Sequence, residues 1–391
     1  MNFERPKLAR VITRMNIGGP ARHVSILSTR GGAEFDEVLL LGESEAREGS
    51  LAEEAAAMGA RMVHVPHLKR PLSPLSDVLA LAWLFRYFRR ERPAIVATHM
   101  AKAGTLGRMA AALAGVPIIV HTFHGHVLDG YFGRLTSSFF LMVERLLGHL
   151  TTQFIAISPE VAADLDRLRI GRGKTTIVRL GLDLDHLAKP PSGELRRELK
   201  VPNGASLVGI VGRLVPIKAL DLLLDAAARI ADGNPNIHFA LVGDGELWDQ
   251  LHAEVEARGL AKSVHFTGWR SDLSTVYADL DLVVCCSRNE GTPVSLIEAC
   301  AAGRAVIGTR VGGVADIVAP GLNGLLVPSG DAKALAAAIE ELIANPDRRQ
   351  AMGAAGQRLV MQRYGSDRMV RELQEVYMKL LKRASLKPEP A

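Results

Sequence analysis

The chain has 391 residues, 48% hydrophobic and 23% charged, the balance of a folded protein with room for two cores rather than of a disordered or fibrous chain. Its three cysteines, Cys285, Cys286 and Cys300, form neither a disulfide framework nor a zinc spacing and read as small apolar core residues. The formal net charge of +5 is uneven: residues 1–190 hold 24 of the 47 Lys and Arg but 18 of the 42 Asp and Glu, so the positive excess lies in the first half and suits an anionic partner.

The first ten residues are charged, and Arg10 and Arg14 break the first apolar stretch, which is not the pattern of a secretory leader. No run of about 18 apolar residues follows, so no membrane-spanning helix is expected. Short apolar runs at 8–12, 37–41, 61–65, 94–98, 118–121 and 154–157 read as strands. Amphipathic stretches at 20–30, 50–59, 75–91, 102–114, 134–149 and 159–169 read as helices between them. That alternation predicts a parallel sheet covered on both faces. A Pro-rich stretch at 186–204 reads as a linker with a short helix inside. The pattern then restarts, with strands at 207–211, 238–242, 264–267, 282–286, 305–307 and 324–327, and helical segments at 331–344 and 347–385 close it. The expected architecture is α/β, two doubly wound domains facing across a cleft: 1–188, 189–365, and a last helix at 366–391 crossing back to the first domain. Ligands of such sheets sit at the carboxyl ends of the strands.

Residues with chemistry concentrate at those ends. Gly18-Gly19-Pro20 follows the first strand and opens the first helix, where backbone amides can approach a phosphate. The spacing is not the dinucleotide GxGxxG, which disfavours a dehydrogenase. His99, Lys102 and Ser158 lie just past strands of the first half and are candidates for holding an acceptor. His121-Thr-Phe-His124-Gly-His126 straddles another strand end. No carboxylate completes a metal set there, and His124 beside its glycine reads as a single presented side chain. Past the buried strand at 207–211 come Arg213 and Lys218, a fork and a point charge suited to a diphosphate. Gly243 and Gly245 mark a sharp turn or a close ligand approach at the next strand end.

The most informative stretch runs from Glu290 to Glu298. Thr292 is expected to cap a helix with Pro293 at its first position, so that amides of residues 293–295, Val294 among them, face an anion. The two carboxylates can accept from sugar and ribose hydroxyls. Asp-Leu-Asp recurs at 164–166, 183–185 and 279–281, but within a helix pattern and before a strand, so no metal is expected. Two amphipathic stretches, 78–90 with its arginines and aromatics and 139–150 with Phe139, Phe140 and Met142, suggest contact with an anionic membrane surface.

Gly18-Gly19, His124-Gly125, Gly212-Arg213-Leu214 with Lys218, Val242-Gly-Asp-Gly-Glu246, Phe266-Thr-Gly268 and the Glu290/Glu298 pair occur in an order and spacing that resemble the retaining glycosyltransferases of family GT4. The resemblance spans residues 17–298 and implies the GT-B fold of two Rossmann-like domains. It implies that Arg213 and Lys218 hold the donor diphosphate, Glu298 the ribose, Glu290 the sugar hydroxyls, and His124 the sugar near the reacting carbon. Gly19 would bring backbone to the phosphates, and the base would lie near Trp269 and Arg270. Two positions depart from the family pattern: Ala219, usually glycine, and Thr292-Pro293, where many members have Phe-Gly. The implied activity is transfer of a sugar from a nucleotide-sugar, a UDP-sugar by resemblance, to a carbohydrate or lipid-linked hydroxyl in bacterial envelope or exopolysaccharide assembly. The nucleotide-sugar is a substrate, and no cofactor, metal or nucleic acid is expected. The expected place is the cytoplasm, with a peripheral contact on the inner face of the plasma membrane. A UDP-sugar 2-epimerase of the same fold is the alternative.

Overall fold

The structure, a computed structural model, describes residues 5–16, 18–31, 34–43, 50–125, 134–171, 173–231 and 233–386, with backbone alone over 134–137. The chain divides into two units, Met1–Leu182 with Ser366–Ala391, and Asp183–Gly365. The first division therefore falls ahead of residue 188, where the sequence pattern breaks.

In the first unit the order is β1 (Lys7–Ile12), α1 (Gly19–Arg30), β2 (Asp36–Leu41), α2 (Ala52–Ala57), β3 (Met62–His64), α3 (Pro74–Glu91), β4 (Ile95–His99), α4 (Ala101–Leu113), β5 (Ile118–Phe123), α5 (Arg134–Leu150), β6 (Gln153–Ala156), α6 (Pro159–Arg167) and β7 (Thr175–Ile177). The second unit runs α7 (Glu194–Glu198), β8 (Ser206–Val211), α8 (Leu220–Ala231), β9 (Ile237–Val242), α9 (Trp248–Ala257), β10 (Val264–Gly268), α10 (Leu273–Asp279), β11 (Leu282–Cys285), α11 (Val294–Ala301), β12 (Ala305–Thr309), α12 (Val314–Ile317), β13 (Gly324–Val327), α13 (Ala332–Ala344) and α14 (Pro346–Tyr364). The last helix, α15 (Ser366–Ser385), belongs to the first unit.

Both sheets are parallel, in the orders β3-β2-β1-β4-β5-β6-β7 and β10-β9-β8-β11-β12-β13. β4, β5 and β9 are buried along their whole length because helices cover both faces. One face of the first sheet packs Val11, Leu40 and Val96 against Leu84 and Phe88 of α3 and Ala103 and Ala110 of α4. The other packs Leu8, Ala97 and Val120 against Leu27 of α1 and Met369, Leu373 and Tyr377 of α15. Strand order reverses between β1 and β4 in one unit and between β8 and β11 in the other. Those two switch points are where a crevice opens at the carboxyl ends of a doubly wound sheet.

The helical stretch 347–385 breaks once: Gly365 is extended (ψ 140°), and the Ser366 amide donates to the Leu182 carbonyl at 2.9 Å as the chain rejoins the first unit. β7 went unseen because three half-exposed residues carry no periodicity. Finally, Tyr87 and Phe88 of α3 are buried in the core, while Leu75, Val78 and Leu79 of the same helix are exposed. On α5, Phe139, Met142, Leu146 and Leu150 are exposed as well. Among the described residues no helix is long and apolar enough to cross a membrane.

Candidate active site

At the switch point of the second sheet, Gly212 (φ 154°) follows β8, and Arg213 emerges exposed. The loop is held by its neighbour after β9: the Gly212 amide donates to Val242 O at 2.9 Å, Leu214 to Asp244 O at 3.0 Å, and Leu247 to Leu214 O at 3.0 Å. This lacing explains Gly243. It takes φ 141°, and a Cβ there would lie 1.9 Å from the Gly212 carbonyl oxygen. At Gly245 a Cβ would lie 2.5 Å from the Leu214 oxygen. Both glycines are required by backbone approach, and the loop that they admit carries Arg213. No ion pair of Arg213 is seen among the described residues.

Lys218 ends a 3-10 turn, Pro216–Lys218, and Ala219 follows in the left-handed conformation (φ 48°), the backbone state that glycine serves without strain. The turn is stitched to the loop after β11, with the Arg288 amide on Ile217 O at 2.8 Å and Cys286 Sγ on Lys218 O at 3.2 Å. The result brings two predicted residues together. Lys218 Nζ pairs with Glu290 Oε1 at 2.6 Å, and Ser287 Oγ donates to the same oxygen at 2.5 Å. Thr309 holds Ser287 through its carbonyl at 2.6 Å, and the Gly313 amide donates to Glu290 O at 2.9 Å. Ser287, Thr309 and Gly313 were missed by sequence reasoning. The one available signal was the Gly312-Gly313 pair past a buried strand, where a Cβ on Gly312 would lie 1.9 Å from Glu290 O. The adjacent Cys285 thiol is pushed up to about 11, by burial first and then by the Glu290 carboxylate, so it stays a neutral thiol.

The start of α11 differs from expectation. Thr292 does not cap the helix: Pro293 is the N-cap residue, no side chain caps it, and Thr292 Oγ1 is buried with no partner among the described residues. Proline has no amide hydrogen and Leu296 donates to Pro293 O at 3.1 Å, so the first-turn amides left are those of Val294 and Ser295. Glu298, one turn in, is buried and accepts from Tyr277 Oη at 2.9 Å. Trp269 is exposed at 62% past β10. Arg270 beside it is fully engaged, with both Glu198 oxygens at 2.6 and 2.7 Å and Asp272 at 2.8 Å, which raise its pKa and leave it a structural clamp rather than a contact for a base.

In the first unit, Gly18 is extended and a Cβ on Gly19 would meet nothing within 4 Å, so packing demands neither glycine. Ile17 and His126 lie outside the described residues. His99, at the end of β4, and His124, just past β5, meet: His99 Nδ1 lies 3.0 Å from His124 Nε2. His23 of α1 joins them edge-on, its ring centroid 4.8 Å from that of His124. Arg10, buried in mid-β1, places Nη1 3.3 Å from His99 Nε2. Arg10 is in turn forked onto Glu37 at 2.8 and 3.1 Å and donates to Tyr377 Oη at 3.4 Å. Burial opposes the charge on Arg10, but Glu37 and Tyr377 outweigh it and raise its pKa. Burial, reinforced by the other histidines and Arg10, keeps His23 and His99 neutral, and burial alone pushes His124 down to about 3. His23, His99 and His124 are also close enough to hold an ion, their nearest nitrogens within 4.8 Å of one another, the one such group among the described residues.

The remaining acceptor-side candidates are engaged locally. Lys102 pairs with Asp77 at 2.7 Å and also donates to Pro71 O. Ser158 is the N-cap of α6, accepting from the Val161 amide at 3.2 Å. His121 faces Thr98 at 2.8 Å inside the sheet. Arg10, Glu37 and His23 carried no motif, since a charge inside an apolar run reads as an interruption.

Known proteins match stretches of both units. The family described as "Glycosyl transferases group 1" matches residues 192–359, and "Glycosyltransferase Family 4" matches 17–186. An Escherichia coli UDP-Gal:alpha-D-GlcNAc-diphosphoundecaprenol alpha-1,3-galactosyltransferase is 31% identical over 69% of this chain and 72% of its own length. The capsular polysaccharide biosynthesis glycosyltransferase CapM of Staphylococcus aureus is 27% identical over 82% and 86%. Anabaena HepE, solved in complex with UDP, shares the fold at a TM-score of 0.84 and 22% identity, over 95% of this chain and all of its own. These matches leave no room for the epimerase alternative: the chain belongs to the family 4 glycosyltransferases of GT-B fold, and it is a glycosyltransferase.

Proposed function

We propose that the protein moves a sugar from a UDP-sugar to a hydroxyl of a carbohydrate or lipid-linked acceptor, with retention of the anomeric configuration, in envelope or exopolysaccharide synthesis. The observation that carries this reading is the Lys218–Glu290 pair beside exposed Arg213 at one switch point. An arriving diphosphate would draw Lys218 and Arg213 onto its oxygens. That exchange would free Glu290, still held by Ser287, to accept from sugar hydroxyls. The amides of Val294 and Ser295 would face the phosphates, and Glu298, fixed by Tyr277, the ribose. No metal is assigned to the diphosphate, since cationic side chains and helix amides meet its charge.

In the step proposed, the bond from the anomeric carbon to the diphosphate oxygen breaks as the acceptor oxygen bonds to the same face. The acceptor's proton passes to the departing phosphate, and Arg213, Lys218 and the start of α11 stabilise the charge that leaves. The names of the E. coli and S. aureus relatives support a UDP-sugar and an envelope acceptor. The exposed row Phe139, Met142, Leu146 and Leu150 on α5, in the unit with the positive excess, supports contact with an anionic membrane.

A thermal-shift screen of UDP-, GDP- and ADP-sugars, repeated with Arg213→Ala, tests the donor. Stabilisation by a UDP-sugar that is lost in the variant is expected, and no stabilisation by any of the three sinks the reading. An inverted product anomer by NMR would sink retention. Failure to float with anionic vesicles at low salt would remove the membrane contact.

A further inference from the structure

The polar chain through the first unit has a direction. A guanidinium can only donate, so His99 Nε2, 3.3 Å from Arg10 Nη1, must be the acceptor. His99 is fully buried among other rings and an arginine, where a second proton is disfavoured. A neutral His99 that accepts at Nε2 carries its hydrogen on Nδ1, and that hydrogen points at His124 Nε2, 3.0 Å away. His124 then accepts at Nε2 and carries its own hydrogen on Nδ1. That atom is buried and has no partner among the described residues.

We infer that Arg10 and His99 fix the tautomer of His124, so that His124 offers Nδ1–H as a hydrogen-bond donor to a ligand oxygen and has no free lone pair with which to take a proton. This rests on the sugar contact that the family resemblance implies for His124, and it deepens that reading. The side chain can bind a hydroxyl or a phosphate oxygen, but it is not the general base. Arg10 and His99 are positioning residues. So at one further remove are Glu37, which forks Arg10 and is itself held by Ser28 Oγ at 2.8 Å, and Tyr377, which reaches Arg10 from α15. The last helix therefore helps to set a proton position at the end of β5. The same three rings could gather a cation only by stripping the Nδ1 hydrogen from His124 or breaking its bond to His99, beside a buried arginine charge.

The tautomers are read on the full, free chain labelled with 15N-histidine, by long-range proton–nitrogen correlation near neutral pH, with His99→Asn and His124→Asn for assignment. Expected is a hydrogen-bearing Nδ1 and a bare Nε2 on both His99 and His124. In Arg10→Met both residues should become tautomer mixtures, and Arg10→Lys, which can still donate, should restore them. A bare Nδ1 on His124 in the wild type overturns the inference without needing any variant. So do tautomers unchanged in Arg10→Met, or capture of stoichiometric Zn²⁺ by the three histidines. Because no donor is present, a failed UDP-sugar titration leaves this result standing, and a wrong tautomer leaves the donor reading standing.

Discussion

Lowering the pH from about 7.5 to about 5 should destabilise the first unit more than the second, where His238 and His265 alone among the described histidines are lowered, by burial first. His23, His99 and His121 have pKa values held well below 6.5, by burial first and then by neighbouring positive groups, and burial holds His124 at about 3. The unfolded chain binds protons at these residues below about pH 6.5 and the folded chain does not, so stability falls with falling pH from about 6.5 toward 3. Each group that stays neutral at pH 5 contributes a loss of about 2 kcal/mol, at about 1.4 kcal/mol per pH unit. Four such groups give an upper figure of about 8 kcal/mol, comparable with the whole stability of an ordinary domain. Lowered carboxylates such as Glu43 and Glu91 act only at lower pH, so they do not confuse this window. Trp83 is the one tryptophan before residue 183, and it stacks on Tyr87 at 5.2 Å. A Trp248→Phe/Trp269→Phe chain therefore reports the first unit in a urea titration. His23→Leu should shrink the loss by about 2 kcal/mol. An unmoved Trp83 midpoint between the two pH values, or the same shift in His23→Leu, would refute the picture of a buried neutral cluster.

Arg213→Ala should weaken UDP binding by about 10- to 100-fold in calorimetry, the worth of one or two charge-assisted hydrogen bonds, while leaving the urea midpoint unchanged. Gly243→Ala should cost the second unit more than about 2 kcal/mol, because its Cβ would meet Gly212 O at 1.9 Å in a left-handed backbone; an unchanged midpoint would show that the two loops do not approach as described. Arg108 Nη2 donates to both Glu144 carboxylate oxygens, at 2.9 and 2.8 Å, and both residues are buried. Arg108→Leu alone should cost about 3–5 kcal/mol, and adding Glu144→Leu should return much of it, since the damage comes from the stranded carboxylate. Glu290→Gln should cut kcat by about 100-fold with a smaller change in donor Kd, and a turnover close to wild type would remove Glu290 from the reacting end of the donor.

What could be read from the sequence followed from one physical regularity. A buried parallel strand is an apolar run, so the first glycine, charge or histidine after it marks the end where ligands bind. That rule picked out Arg213, Lys218, Glu290, His99 and His124 as candidates, and the structure has them at the end of a strand or in the loop after it. It failed where a contact depends on pairings distant in the chain. Arg10 meets Tyr377 across a separation of 367 residues, and nothing near Arg10 announces that partner. Ser158 and Lys102 obeyed the rule yet turned out to be a helix cap and an ion pair, because a strand end is also a helix start and must satisfy its own amides and charges. Thr292 failed for a local reason: with Pro293 as the N-cap residue, the helix begins one residue later than the threonine could cap.

The two switch points also differ in what they hold ready. In the second unit the groups are charged and paired, Lys218 with Glu290, with Arg213 exposed beside them. A diphosphate can exchange with one partner of such a pair at small electrostatic cost, since a carboxylate is replaced by a phosphate around the same ammonium. In the first unit the rings are neutral and enclosed, and the charge in contact with His99, on Arg10, is spent on Glu37 and on fixing a tautomer. An exchangeable ion pair suits binding and releasing a charged leaving group. A neutral donor with its lone pair occupied suits orienting a sugar oxygen without taking its proton. If the acceptor's proton goes to the departing phosphate, no side chain needs to be a base, and the histidine cluster is built so that none of its described nitrogens has to gain a charge during the reaction.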